Sequence, residues 1–166
     1  MADIWTTSKR SEVMARIRSR GNKETELRLI EIFREAQIKG WRRNQKLFGK
    51  PDFVFRRERV VVFVDGCFWH GCPQCYRRPS SNQEFWDAKI TRNRKRDRLV
   101  VRELRAAGWQ VIRIWQHQLS SPVRIGMMLT RRLTARSYQT LFTSNKIRVL
   151  ESHSTKHIDT PHRSRM

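Results

Sequence analysis

Five residues in a row, Val60-Val61-Val62-Phe63-Val64, leave this chain few folds to choose from. A run of β-branched and aromatic residues with no polar alternation reads as a strand without a solvent face, so it needs cover on both sides. Phe53-Val54-Phe55 stands just upstream, across the charged Arg56-Arg57-Glu58-Arg59, and the two runs read as a hairpin. Gln110 to Trp115 supplies a third strand. Asn22 is placed to cap a helix whose first turn carries Glu24 and Glu26, and Leu29, Ile32, Phe33 and Ala36 form its apolar stripe. A basic loop follows that helix and ends in Phe48-Gly49-Lys50-Pro51. Ser81 and Glu84 have the spacing of a capping box opening a long helix that ends at Gly108. Ser121-Pro122 starts a last helix, with proline in a tolerated first-turn position. Strands and helices in this order predict a mixed α/β domain, a central sheet flanked by helices.

The 166 residues suit one domain. Residues 1–20 read as a basic arm or short helix, with Met14 and Ile17 at helical spacing and Arg10, Arg16, Arg18 and Arg20 suited to phosphates. Residues 21–136 make the folded domain. From 137 to 166 the apolar pattern fades into a polar tail, expected to be flexible.

Lys and Arg number 36 against 15 acids, a formal net charge of +21. Such an excess repels itself in the folded state and calls for a polyanionic partner. On charge alone DNA and RNA stand level, with a membrane surface well behind. No stretch approaches the ~20 apolar residues that span a bilayer. The N-terminal MADIWTTSKRSE lacks the apolar core of a secretory signal, so a cytoplasmic location with reduced thiols is expected. Three cysteines cannot all pair within one chain, and Cys72-Pro-Gln-Cys75 points to a metal.

Cys67, Cys72 and Cys75 offer three soft ligands from one loop, and tetrahedral zinc takes a fourth. His70 lies inside the loop, where it would strain a small chelate. His117, just after the third strand, is the favoured fourth ligand. Four filled positions make such a zinc structural. Asp52 sits at the mouth of one hairpin strand and Asp65 closes the other, so the turn brings both toward a place where carboxylates can hold Mg²⁺ beside a phosphate.

On the long helix, Trp86, Ile90, Asn93, Asp97, Val101 and Leu104 share one stripe. A carboxylate on an inward face needs a partner, so Asp97 should meet a His, an Arg or a metal, or else Arg94 or Arg98 of its own helix. His70, held by a carboxylate, has the chemistry of a general base acting on water. Phe68 and Trp69 can wedge between stacked bases or can pack over the metal loop, and Trp86 has the same two readings.

The runs Pro51-Asp52-Phe53-Val54 and Val64-Asp65-Gly66-Cys67-Phe68-Trp69-His70-Gly71-Cys72 resemble the very-short-patch-repair DNA mismatch endonucleases. So do Glu84-Phe85-Trp86, Asn93-Arg94-Lys95-Arg96-Asp97-Arg98 and Gly108-Trp109-Gln110-Val111, and the likeness runs from about Ser8 to Leu119. The resemblance implies a restriction-endonuclease-like fold and an enzyme that nicks double-stranded DNA 5′ to the thymine of a T·G mismatch. It implies Mg²⁺ on Asp52 and the backbone carbonyl of Val64, with Glu26 supporting the ion through water. It also implies His70 and Asp97 at the scissile phosphate, a zinc-bound loop, and Phe68, Trp69 and Trp86 wedged into the duplex.

The family's zinc set has histidine at the position of Cys72 and cysteine at that of His117; both swaps keep a ligand. The best-known member has histidine where this chain has Asp65, which makes Asp65 an acid–base partner or a further metal ligand. The implied setting is the bacterial cytoplasm, a monomer on DNA, with accessory mismatch-repair proteins as further partners. A restriction-like nuclease without mismatch preference is the nearest rival. A catalytically silent, zinc-stabilised nucleic-acid-binding module is the other.

Overall fold

A computed structural model describes residues 23–154. The arm over 1–20, with Met14 and Ile17, and the cap at Asn22 lie outside the described residues. Four strands form one sheet in the order β1 (Trp41–Arg42), β2 (Phe53–Phe55), β3 (Val60–Asp65), β4 (Gln110–Trp115). The first two pairings are antiparallel and the third is parallel. β2 and β3 are the expected hairpin, Phe55 facing Val60, closed by Arg56 to Arg59. Arg59 takes φ 52° at the end of that turn, and its amide donates to the carbonyl of Arg56 at 3.3 Å.

Parallel neighbours need a long crossover. It is supplied here by α2 (Gln83–Ala106), between β3 and β4. A single wide π-turn, Lys23–Leu27, leads into α1 (Arg28–Glu35), and a 3₁₀ turn, Gln116–Ser120, leads into α3 (Pro122–Ser154). Among the described residues no helix is long and apolar enough to cross a membrane.

The unbroken apolar run is covered on both faces, as its sequence requires. On one face Phe53, Phe55, Val60, Val62, Ile112 and Ile114 pack against Leu29, Ile32 and Phe33 of α1 and Ile125 and Leu129 of α3. Phe33 sits at the middle of this layer, its ring 5.0 Å from Phe53 and 5.8 Å from Phe55, both edge to face. On the other face Val54, Val61, Phe63 and Val111 pack against Val100 and Leu104 of α2. The result is the mixed sheet flanked by helices that the pattern predicts.

Three local details differ from the sequence reading. The loop before Pro51 contains β1, two residues paired to β2 and too short to carry an alternating pattern. The Ser81–Glu84 capping box does not open α2: the cap position is Asn82, one residue later, in the left-handed region at φ 51°, with no side-chain cap bond. α3 also continues past Ser137 to Ser154. The stop at Gly108 is as expected. Its φ of +80° lets its amide reach the carbonyl of Arg105 at 2.9 Å, while that of Trp109 reaches Leu104 at 2.9 Å.

Candidate functional site

The site lies where β3 and β4 end side by side, with Asp65 opposite Trp115. Asp52, just ahead of β2, accepts a hydrogen bond from the amide of Val64 at 2.8 Å, which ties the two hairpin strands together at this end. Burial, together with the carboxylates of Glu26 and Asp65, pushes Asp52 up from 3.8 to about 6. Glu26 is 6% exposed and paired with the guanidinium of Arg43. Three acids therefore share one small region, and at Asp52 the Val64 amide and Arg43 offset only part of the effect of burial and of its two acidic neighbours.

Beside them the loop from Gly66 to Pro79 is held by α2. Asn93 donates to the carbonyl of Trp69 at 2.7 Å and Arg94 donates to that of Gly71 at 2.6 Å. Gly71 takes φ +63°, and a Cβ there would stand 2.7 Å from both Ile90 and Arg94, so only glycine lets the loop lie this close to the helix. This places the Nδ1 of His70 2.6 Å from Oδ2 of Asp97. Burial acts against the charge on Asp97, but the His70 hydrogen bond, with the charges of His70 and Arg113, holds it below the ordinary carboxylate range. An ionised Asp97 keeps the Nδ1 proton on its side of the ring, so the neutral imidazole presents Nε2 as its free basic atom.

Asp97 thus finds a histidine and an arginine from other elements, besides Arg96 of its own helix at 3.9 Å. The arginine is Arg113, in the middle of β4. Its Nε and Nη2 donate to the two oxygens of Asp65 at 2.6 and 2.5 Å, and Nη2 stands 3.2 Å from Asp97. The sequence reading missed Arg113 and Arg43. A charge inside the apolar strand Gln110 to Trp115 was a signal for the first, since a buried cation needs a partner. Nothing local marked Arg43 among its basic neighbours.

The expected sulfur–nitrogen set also comes together. The ligand atoms of Cys67, Cys72, Cys75 and His117 all lie within 4.8 Å of one another. The Nδ1 of His117 is 3.2, 3.6 and 3.4 Å from the sulfurs of Cys67, Cys72 and Cys75. Tetrahedral zinc with bonds of ~2.0–2.3 Å has ligand atoms ~3.5 Å apart, so the four side chains fit such an ion as they stand. Without a cation the crowded sulfurs share protons: contacts with Cys67 and Cys72 push Cys75 up to about 12. A thiophilic metal replaces those protons. His70 stays outside the set.

The aromatic residues make a cluster of their own. The Phe68 ring lies 5.3 Å from Trp69 and 5.0 Å from Trp86, both edge to face. Trp86 is 7% exposed, whereas its neighbour Phe85 is 55% exposed.

Comparison with known proteins bears on these features. The family model described as DNA mismatch endonuclease Vsr matches residues 2–77. The type II nicking enzyme V.NmeAIP of Neisseria meningitidis serogroup A is 42% identical over 124 residues, covering 73% of this chain and 86% of that one. The DNA mismatch endonuclease Vsr of Escherichia coli K12 is 36% identical over 118 residues, 70% of this chain and 74% of that one. The type II nicking enzyme V.NaeI of Lentzea aerocolonigenes is 51% identical over 69 residues, 42% of each chain.

Proposed function

The chain belongs to the family of the DNA mismatch endonuclease Vsr, and from that premise we propose that it nicks double-stranded DNA 5′ to the thymine of a T·G mismatch. One observation carries the catalytic part of this reading. Asp52 is a half-buried carboxylate raised mainly by burial, with Glu26 and Asp65 adding to it, at the strand end where His70 is hydrogen-bonded to Asp97. Grouped acids of this kind suit a hard divalent cation, and a His–carboxylate pair suits proton transfer.

On this reading Asp52 and the carbonyl of Val64 hold Mg²⁺, with Glu26 acting through water. The ion supplies positive charge to the scissile phosphate and to the leaving 3′ oxygen. Asp97 orients His70 so that Nε2 takes or gives the proton of the attacking water. Zinc on Cys67, Cys72, Cys75 and His117 fixes the loop that carries Phe68, Trp69 and His70. Phe68, Trp69 and Trp86 pack edge to face or tilted against one another and on this reading exchange those contacts for base pairs flanking the mismatch. The basic arm over 1–20 and the exposed Arg92, Lys95 and Arg96 of α2 follow the phosphates. The setting for such work is the bacterial cytoplasm.

The experiment replaces Asp52 by alanine. Mg²⁺-dependent nicking of a T·G duplex should disappear while affinity for the same duplex persists in gel-shift titrations. Parallel loss of binding would place Asp52 in DNA recognition and remove the metal from the reading.

A further inference from the structure

Phe85, in the first turn of α2, is 55% exposed, and the core of the domain does not use it. Single apolar side chains on a surface are ordinary and need no reason. Phe85 differs in its neighbours. Its ring lies 5.2 Å from that of Trp86, edge to face, and Trp86 in turn lies 5.0 Å from Phe68 and 6.0 Å from Trp69. Among the described residues it is the one exposed aromatic ring that joins this cluster. Trp86, at 7%, is covered where it stands. Phe85 is therefore the outermost ring, and it can meet a partner without leaving its place.

The helix decides what stands beside it. Successive positions are about 100° apart, so α2 turns Trp86 inward with Ile90, Asn93 and Asp97. Phe85 falls on the adjoining stripe with Lys89, Arg92 and Arg96, of which the two arginines are exposed. Arg96 reaches toward the reaction pair, its Nη2 3.9 Å from Oδ1 of Asp97. The stripe thus carries an aromatic ring at one end and cations along the rest, the pairing that suits bases and phosphates of one strand. The turn bearing Phe85 is also braced, because Arg78 of the cysteine loop closes a fork on Asp87 at 3.1 and 2.5 Å.

We propose that Phe85 is a specificity-determining residue, which lays its ring on the nucleotide next to the mismatch, outside the three inner rings, while Lys89, Arg92 and Arg96 hold the phosphates that follow. The proposal rests on the endonuclease reading. An aromatic ring gains from stacking whatever base it meets. What differs between duplexes is the cost of opening, and a mismatched step parts more cheaply than a paired one. Phe85 converts that weaker pairing into affinity, so its contribution is larger on T·G than on C·G.

The test compares the full zinc-loaded chain with Phe85→Ala and Phe85→Trp, by anisotropy titration of T·G and C·G duplexes of one sequence, by nicking kinetics and by thermal melts. Phe85→Ala should weaken T·G affinity by about 5–100-fold, the range for one lost base–aromatic stack. KM should rise in step, with kcat and Tm held, and C·G affinity should change far less. Phe85→Trp should restore most of the T·G affinity. Unchanged T·G affinity in Phe85→Ala would overturn the proposal. So would an equal loss on both duplexes, the mark of a general contact, or a loss in kcat with a lower Tm, the mark of a prop for Trp86. A wild type that binds T·G no better than C·G overturns it as well. A wild type that binds T·G selectively yet nicks neither duplex defeats the endonuclease reading, and the ratio of affinities then decides for Phe85 by itself.

Discussion

Asp52→Asn should make the metal-free protein more stable while removing its activity. Burial and the carboxylates of Glu26 and Asp65 raise Asp52 from 3.8 to about 6. Each unit is about 1.4 kcal/mol, so ionising this group in the folded chain costs about 3 kcal/mol at pH well above 6. The sign follows from the raised value. The cost is absent below 3.8, grows as pH rises, and is complete above about 6. Asparagine keeps an oxygen for the Val64 amide, which Asp52 accepts at 2.8 Å, and carries no charge.

Water reaching the half-buried carboxylate reduces the gain, and 1–3 kcal/mol is a fair range, or about 5 °C in Tm for a chain of this size. Calorimetric melts of zinc-loaded wild type and variant, without Mg²⁺, should separate most at pH 8 and by about half as much at pH 5. Mg²⁺ should then raise the Tm of the wild type and leave the variant where it was. A variant that melts no higher at pH 8, or whose advantage is the same at pH 5, refutes the account of the acid cluster.

Other expectations come from the same geometry. His70→Ala and Asp97→Asn should each lower kcat by about 10²–10⁴, the range for a lost general base or its orienting partner, with DNA affinity retained in anisotropy titrations. Cys75→Ser should lower both bound zinc, by atomic absorption, and Tm; a full complement of zinc or an unchanged melt speaks against a structural ion. Phe33→Ala removes the ring that meets Phe53 and Phe55 edge to face, and urea unfolding should show a loss of about 3–5 kcal/mol.

How much of this was readable in advance depends on the range of the forces involved. The hairpin was legible because Val60 to Val64 have no polar alternation, and burial on both faces is the one arrangement that satisfies them. Gly108 was legible because a positive φ is a local demand on one residue. The sulfur–nitrogen cluster could be read from spacing, since three cysteines in nine residues leave a tetrahedral ion short of a single ligand. Asp97 was marked by lying on an apolar stripe, and its need for a partner foretold the pairing with His70 without naming it.

What could not be read is long-range. Arg113 is 48 residues from Asp65 and reaches it only because β3 and β4 lie parallel in register. Arg43 meets Glu26 from 17 positions away, across α1 and β1, one basic side chain among several. β1 is made of two residues, and its partner rather than its own sequence turns it into a strand. The cap of α2 falls on Asn82 because the chain enters the helix in a left-handed turn, which the Ser81–Glu84 spacing does not encode.

The central claim is that the carboxylates and His70 cut one strand at a mismatch. It is tested most directly with end-labelled duplexes of one sequence, carried as C·G and as T·G, incubated with the zinc-loaded protein and Mg²⁺. The account predicts a single nick, 5′ to the mismatched thymine, in the T·G duplex alone and none without the divalent ion. Equal cutting of the paired duplex contradicts the mismatch reading, and cutting that persists without a divalent ion contradicts the role given to Asp52.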